Sequence, residues 1–296
     1  MRVLVSGASG FIGATLCSHL SEQGHAIVRL VRVVPRSADE IQWDPEAGWA
    51  VKEAFECFDA VIHLAGEPLS ITRWTQEKKK KILYSRTVGT WLLSHILASL
   101  HEPPKIFISA SAFGFYGDRG EEVLNEESSA GTGFISSVCT EWEKATQAIQ
   151  ARGTRTVQTR FGIVLGAGGM LQKMLLPYKL GLGATLGPGT QWISWIALHD
   201  LIRAMDHILR SNLEGPVNFV SPHPVRQKDF SHTLARLLSG PAFLKIPAFV
   251  LRLILGQVAD ELILASARVA PAKLLDSGFT FKYPTLEEAL IKSIPS

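Results

Sequence analysis

The chain has 296 residues, 46% of them hydrophobic, which suffices for one large α/β domain or for a cofactor-binding domain with a smaller second lobe. Its 30 basic and 27 acidic residues give a net charge of +3, a balance that does not favour nucleic acid or an anionic membrane as the main partner. Three cysteines without a CxxC pair predict neither a disulfide framework nor a metal site. Because there is no signal-peptide layout and no apolar run of about 20 residues, the sequence predicts a cytoplasmic protein.

The beginning of the chain follows the order strand, glycine turn, helix. An apolar run at residues 2–6 precedes Gly7, and a helical pattern follows Gly13 and stops at Gly24. A dinucleotide diphosphate binds where the backbone approaches closely and N–H groups point outward from the positive end of a helix. We therefore predict a cofactor site in this turn, formed by Gly7, Ser9, Gly10, Phe11, Ile12 and Gly13.

The end of the next strand predicts which cofactor binds. A second apolar run covers residues 26–31, as a βαβ unit requires, and Arg32 follows it. NAD-selective sites carry an acid about 20 residues beyond the glycines, whereas an arginine suits the 2′-phosphate of NADP. Arg32 therefore predicts NADP, with Arg36 as a second candidate for the same phosphate. The alternative is an ordinary solvated arginine at a strand end.

The remaining strand-like segments predict a doubly wound parallel sheet of the Rossmann type. They cover residues 41–43, 59–66, 105–109 and 156–166, with a later strand near 216–220. We predict an NADP-binding Rossmann domain over 1–165, completed by that later strand, and a smaller, mostly helical lobe on the substrate side over 166–296. Because ligands bind beyond the carboxyl ends of such strands, Leu64, Ala65 and Gly66 should pass close to the adenosine ribose and the diphosphate.

These segments together resemble the extended and atypical short-chain dehydrogenase/reductase superfamily. Within it, the chain is similar to the NAD-dependent epimerase/dehydratase-like "epimerase family" branch with its own C-terminal segment. The resemblance rests on the GxxGxxG turn, on LAGEP at 64–68, SR at 85–86, SASAFGFYGD at 109–118 and RFGIVLG at 160–166.

The resemblance also implies roles for single residues. It places Glu67 near the nicotinamide ribose or the substrate, points Arg86 at the cofactor, and runs the backbone at Val164 beside the nicotinamide. It makes Ser111 the catalytic hydroxyl that hydrogen-bonds the substrate oxygen. Taken alone, Glu67 is a loop acid, and a serine at a strand end such as Ser111 is usually a local cap.

One expected feature of the superfamily is replaced in this sequence. Extended members carry Tyr-x-x-x-Lys on the next helix, in which the tyrosine transfers a proton and the lysine lowers its pKa and holds the ribose. The alignable run, residues 134–143, has Phe134 and Val138 at these positions. Neither side chain can transfer a proton, so the usual mechanism is excluded. Cys139 and Glu141 are candidate substitutes, and the alternative is a helix that only fills the core.

Three functions therefore stay open. The first is an NADP(H)-binding oxidoreductase that acts on a small molecule, with an acceptor such as a quinone or conjugated substrate that needs little acid catalysis. The second is a sensor or scaffold that binds NADP without turnover. The third, a nucleotide-sugar epimerase or dehydratase, requires a base that the sequence does not reveal. His199 and Asp200 are expected to cap a helix, and the sequence does not predict the oligomeric state.

Overall fold

The computed structural model describes residues 1–69 and 71–294 of the chain. The strands in chain order are β1 (Arg2–Ser6), β2 (Ala26–Val31), β3 (Glu40–Asp44), β4 (Trp49–Ala50), β5 (Ala60–His63), β6 (Ile106–Ala112), β7 (Val123–Leu124), β8 (Arg155–Phe161), β9 (Ile163–Leu165), β10 (Ala184–Leu186), β11 (Trp192–Ile193), β12 (Trp195–Ala197), β13 (Gly215–Phe219), β14 (Val225–Arg226), β15 (Leu244–Ile246) and β16 (Arg268–Val269).

Ten α-helices connect these strands in the described part of the chain. They are α1 (Phe11–Glu22), α2 (Gln76–Ala98), α3 (Phe134–Lys144), α4 (Gln147–Ala151), α5 (Gly169–Lys179), α6 (Leu198–Arg210), α7 (Gln227–Leu237), α8 (Ala248–Leu255), α9 (Ala272–Asp276) and α10 (Leu286–Ser293), and a π-helical turn covers Ala259–Ile263. None of the described helices is long and apolar enough to cross a membrane.

Eight strands form the central sheet, in the order β13-β8-β6-β5-β1-β2-β3-β4. Every neighbouring pair is parallel except β3 and β4, which are antiparallel. The strand order reverses direction at β1, so the carboxyl ends of β1 and β5 flank the switch point at which such sheets bind ligands. The predicted doubly wound sheet is confirmed.

Alternating residues of each strand build the two faces of the core. Val3 and Val5 point to one face, which α1 and α6 cover, whereas Leu4 points to the other, which α2 covers. Because both faces are covered, β1 and β5 carry no polar residue before Ser6 and His63, apart from the exposed Arg2.

The C-terminal region packs around a third cluster. Trp195, Phe230 and Leu234 form its centre, and α10 covers it through Leu286 and Leu290. This region is helical as predicted, but it also contains short strand pairs, β10 with β15 and β11 with β14. Two elements beyond residue 166 belong to the Rossmann layers, because α6 packs on the β1 face and β13 extends the sheet.

Two predicted strands end differently in the structure. The strand predicted over 59–66 stops at His63, and Leu64 begins a loop. The strand predicted over 156–166 is divided at Gly162 into β8 and β9. A Cβ at Gly162 would lie 2.8 Å from the carbonyl oxygen of Ser194, so the chain passes this point only as glycine.

Candidate functional site

The glycine turn between β1 and α1 is as tight as the sequence predicts. Gly7 has φ +69°, in the left-handed region, and its carbonyl oxygen accepts from the N–H of Gly10 at 3.0 Å. A Cβ at Gly7 would lie 2.8 Å from the carbonyl carbon of Leu64, and one at Gly13 would lie 2.1 Å from the carbonyl oxygen of Gly7. Both clashes would be with backbone atoms, so Gly7 and Gly13 cannot be replaced without moving the turn.

The first turn of α1 has the free donors that an anion needs. Gly10 occupies the N-cap, no side chain caps the helix, and no acid lies in its first turn. Ser9 and Gly10 are exposed, and Phe11 and Ile12 are partly exposed. The amide groups at this end of the helix therefore remain available for a phosphate.

The polar pair of Ser6 and His63 supports the turn from below. Their side chains meet at 2.6 Å, between Oγ and Nδ1, and both residues are fully buried. The Ser6 hydroxyl also accepts from the N–H groups of Leu64 at 3.2 Å and Ala65 at 3.4 Å. The hydroxyl proton is therefore donated to Nδ1 of His63, which leaves the ring proton on Nε2. This network holds Leu64, Ala65 and Gly66 against the glycine turn.

Arg32 and Arg36 lie on the exposed segment that follows β2. Within residues 1–69 and 71–294, neither side chain has a hydrogen-bond or ion-pair partner. The nearby acids are occupied, because Arg29 binds Asp39 at 2.7 Å and lies 3.6 Å from Glu40. The structure thus leaves both arginines unpaired on the segment that follows β2, the strand next to β1 in the sheet, while the nearby acids pair with Arg29.

Glu67 follows Gly66 in the chain, and the side chain of Arg86 packs near Gly66. The two side chains do not form an ion pair with each other. Glu67 accepts from Lys78 at 2.7 Å, and this bond lowers the pKa of its carboxyl group. Arg86 is near enough to Gly66 that a Cβ there would lie 3.7 Å from its Cγ. Its guanidinium donates to the carbonyl of Ile82 at 3.1 Å and lies 5.1 Å from the centre of the Trp142 ring.

No carboxylate in the described part of the chain forms an ion pair with Arg86 within 4.0 Å, and burial lowers the pKa of its guanidinium. A guanidinium has five N–H donors, and a single hydrogen bond from the protein leaves most of them free. Arg86 is therefore a partly buried cation with unused donors at the predicted cofactor cleft.

Ser111 belongs to a buried polar network that the sequence did not predict. Its hydroxyl donates to Glu143 Oε1 at 2.7 Å, and Arg160 binds both oxygens of Glu143 at 2.8 Å. Arg160 also donates to the hydroxyl of Tyr116 at 2.9 Å, which in turn donates to Asn218 at 2.8 Å. Ser111 is 2% exposed, so this network holds its hydroxyl away from bulk solvent.

The sequence does contain a signal for the pair of Glu143 and Arg160, because an arginine within a buried strand predicts an acidic partner. Arg160 lies within an otherwise uncharged part of β8, where a buried guanidinium requires a counter-ion. Of the candidate substitutes, Glu141 faces solvent and binds Lys144 at 2.8 Å. Cys139 is buried, and burial followed by the nearby Glu143 raises the pKa of its thiol to about 12. The structure brings neither Glu141 nor a thiolate to Ser111.

A carboxylate from the C-terminal region caps α3. Glu261 accepts from the backbone N–H groups of Phe134 at 2.8 Å and Ile135 at 2.7 Å. Phe134 is partly exposed, and Val138 is buried with Trp74 and Val258. The N-terminal end of α3 is therefore closed by the chain itself, in contrast to that of α1.

The segment around Val164 contacts both the C-terminal region and the start of α1. β9 pairs in parallel with β12, which places Val164 opposite Ile196. The Phe11 ring fills the space beside the next glycines, where a Cβ at Gly166 or Gly168 would lie within 2.7 Å of it. Val164 is thus held near the start of α1.

His199 and Asp200 do not cap α6 as expected. The helix begins at Leu198, and the Asp200 carboxylate accepts from the N–H groups of Lys282 and Tyr283, each at 2.8 Å. The acid ties the C-terminal segment to the Rossmann layers. Burial lowers the pKa of His199.

Comparison with known proteins identifies the family. Residues 3–220 match the model of the NAD dependent epimerase/dehydratase family, and residues 246–292 match a domain of unknown function, DUF1731. An epimerase family protein of Mycobacterium bovis is 39% identical over 290 residues, which cover 97% of this chain and 96% of that protein.

Two solved structures are also similar. The human epimerase family protein SDR39U1 (isoform 2), crystallised with NADPH, superposes with a TM-score of 0.87 at 33% identity and 98% coverage of both chains. A nucleoside-diphosphate sugar epimerase from Corynebacterium glutamicum gives 0.82 at 33% identity, over 99% of this chain and 58% of that one. By sequence and by structure, the chain belongs to the NAD dependent epimerase/dehydratase family.

Proposed function

We propose that this protein is an NADP(H)-binding oxidoreductase that works without the Tyr-x-x-x-Lys pair of its superfamily. The observation that carries the proposal is the uncapped glycine turn with an unpaired arginine beside it. The turn suits a dinucleotide, because its backbone donors are free and because glycine at positions 7 and 13 lets the turn pack closely against Leu64 and the start of α1. The residues that would hold the cofactor are Gly7, Ser9, Gly10, Phe11, Ile12, Gly13, Arg32, Leu64, Ala65, Gly66, Glu67, Arg86 and Val164.

Selectivity for NADP is supported by Arg32. Its guanidinium has no partner among the described residues, and the acids of this segment are committed to Arg29. A 2′-phosphate would give Arg32 two charge-assisted hydrogen bonds, whereas the ribose hydroxyls of NAD would find no acid. The human relative, 33% identical, was crystallised with NADPH.

Arg86 is proposed to bind the cofactor in place of the missing lysine. In the resembled superfamily, a lysine on the helix equivalent to α3 holds the nicotinamide ribose, and Val138 stands at that position. Arg86 reaches the same cleft from α2, beside Gly66, with most of its donors unused. The cation would thus come from a different helix.

Ser111 is proposed as the group that meets the substrate. NADP(H), when bound, supplies or accepts the hydride. The Ser111 hydroxyl already donates to Glu143, so it offers lone pairs and would hold a substrate O–H. As a substrate alcohol is oxidised, its proton would pass to Ser111 while the Ser111 proton passes to Glu143, and reduction would follow the reverse course. Arg160 stabilises the charge of Glu143 before the transfer.

The second candidate, a protein that binds NADP without turnover, is favoured by the burial of Ser111 and by Phe134 and Val138 on α3. An epimerase is less well supported, although the Corynebacterium glutamicum relative carries that name. An epimerase would have to oxidise and then re-reduce the same sugar carbon through the arginine-bound Glu143 carboxylate, because the Cys139 thiol has a pKa of about 12.

Oxidation of NADPH by model acceptors tests the oxidoreductase proposal. We expect protein-dependent loss of NADPH absorbance with phenanthrenequinone or menadione, and a rate at least roughly tenfold lower in Ser111→Ala. Ser109→Ala is the matched control, since Ser109 is buried in the same strand and bonds only to the backbone. Binding of NADPH with no oxidation of it would instead support the non-catalytic function, and equal rates in both variants would make Ser111 a structural residue.

A further inference from the structure

The C-terminal region exposes an unusual number of large apolar side chains on one surface. We name this the apolar surface and define it by Leu176, Leu180 and Leu182 at the end of α5, Phe243 and Leu244 at β15, and Phe249, Leu253 and Ile254 on α8. Of the α8 residues only Leu251 is buried. Burial in the fold therefore does not account for the apolar character of this helix.

The two segments that carry these residues are adjacent. β10, which follows α5, pairs with β15, and a Cβ at Gly181 would lie 3.5 Å from the Pro241 ring. α8 begins two residues after β15 ends. On α8 the spacing of Phe249, Arg252 and Leu253 places them on one side of the helix. The end of α5, β15 and α8 are therefore neighbours in the fold, and each exposes apolar side chains.

Several side chains of the apolar surface project into solvent. Phe243 is 89% exposed, Leu253 75% and Phe249 69%, so each side chain touches little of its own chain. Monomeric proteins rarely leave large contiguous apolar areas in water, and such areas mark interaction sites. Exposed aromatic and aliphatic side chains beside basic residues are typical of proteins that bind the interfacial region of a bilayer.

The charge of the two segments differs from the balance of the whole chain. Residues 169–182 contain two lysines and no acid, and residues 239–256 contain one lysine, one arginine and no acid. Lys173, Lys179 and Lys245 are exposed and have no ion pair among the described residues, while Arg252 binds Asp260 at 2.8 Å. A second copy of this surface would bring like charges together, whereas an anionic surface would be attracted to it.

We propose that the apolar surface docks the protein on an anionic lipid bilayer. Its apolar side chains would enter the region between headgroups and acyl chains, and the lysines would extend to the lipid phosphates. The attachment is peripheral, since α8 has eight residues and none of the described helices can span a membrane. It is independent of the cofactor and of any reaction.

Vesicle flotation tests this proposal. Purified protein is mixed with vesicles of phosphatidylcholine alone or with about one third phosphatidylglycerol, at about 0.1 M and about 0.5 M salt. We expect flotation with the anionic vesicles and less of it at high salt. Phe249→Gln with Leu253→Gln should lower the bound fraction about tenfold or more, and Lys179→Glu with Lys245→Glu should lower it at low salt.

The matched control is Val123→Gln with Ile291→Gln, which removes two other apolar side chains that are more than half exposed and should leave flotation unchanged. Circular dichroism verifies that each variant is folded. No flotation of the wild-type protein, or equal loss in the control, would overturn the proposal. It would also be overturned if sedimentation velocity showed a dimer that the Phe249→Gln with Leu253→Gln variant does not form. The apolar surface would then bind a second copy of the chain rather than a bilayer.

Discussion

The hydroxyl of Ser6 lies 2.6 Å from Nδ1 of His63, and this buried pair joins the ends of β1 and β5 at the switch point of the sheet. Through the Ser6 hydroxyl the pair also binds the N–H groups of Leu64 and Ala65. The loop that borders the predicted cofactor site is thus fixed by two residues that no ligand would touch. This arrangement makes the stability of the site depend on the protonation of His63.

We predict that the free energy of unfolding falls as the pH is lowered from 6.5 to about 4. Burial lowers the pKa of His63 to about 4, so over this range the unfolded chain binds a proton that the folded chain does not. Stability therefore rises with pH within this window, by about 3 kcal/mol for the full difference in pKa. Urea unfolding between these pH values measures it. His63→Asn should lose this part of the pH dependence, and an unchanged slope in the variant would contradict the assignment.

A methyl group at Gly13 should break the turn. In Gly13→Ala the new Cβ would lie 2.1 Å from the carbonyl oxygen of Gly7, so the helix or the turn must move. We expect a loss of about 3 kcal/mol in stability and loss of NADPH binding. Gly66→Ala is the control for stability alone, because the nearest atoms to its Cβ belong to the Arg86 side chain, at 3.7 Å. If Gly13→Ala were as stable as Gly66→Ala in denaturant titrations, the close packing described for the turn would be wrong.

Removal of Glu143 should destabilise the protein strongly. Arg160 is 4% exposed and Glu143 14%, so Glu143→Ala leaves a buried guanidinium without its counter-ion. We expect a cost of about 3–5 kcal/mol in urea unfolding. Glu141→Ala, two residues earlier on the same helix, removes an exposed ion pair with Lys144 and should cost about 0.5 kcal/mol or less. Similar costs for the two variants would show that the buried network does not hold α3 to the sheet.

Substitution of Arg86 should affect protein stability and NADPH binding differently. Because its charge is partly buried and has no carboxylate partner among the described residues, Arg86→Met should leave the stability unchanged or raise it slightly. The same variant should weaken NADPH binding roughly tenfold if the free guanidinium donors bind the cofactor. Lys80→Met, exposed on the same helix, serves as the control in thermal unfolding and in NADPH titration. A large loss of stability with unchanged binding would make Arg86 a structural residue.

Local features of this fold could be predicted from the sequence, and long-range contacts could not. The glycine turn, β1, α1 and β2 follow from spacing within 31 residues, and Thr75 marks the start of α2, where its hydroxyl accepts from the N–H of Lys78 at 3.1 Å. The break at Gly162 was not predicted, because it depends on the approach of Ser194 from another segment.

The same limit applies to the candidate site. Ser111 and Glu143 are 32 residues apart, and Glu261 caps a helix that begins 127 residues before it. No sequence period relates such residues, since their contact arises from the packing of α3 between the sheet and the C-terminal region. The roles of Arg32, Arg86 and Ser111 stay predictions, since they concern ligands.

A fluorescence titration with NADPH and NADH tests directly whether Arg32 selects NADP. We expect the wild-type protein to prefer NADPH and Arg32→Ala to lose about 2 kcal/mol of NADPH binding, which is roughly 30-fold in affinity, with little change for NADH. Arg36→Ala, also exposed on this segment, shows whether the second arginine shares the phosphate. Equal affinity of the wild-type protein for both nucleotides, or binding of neither, would contradict the account.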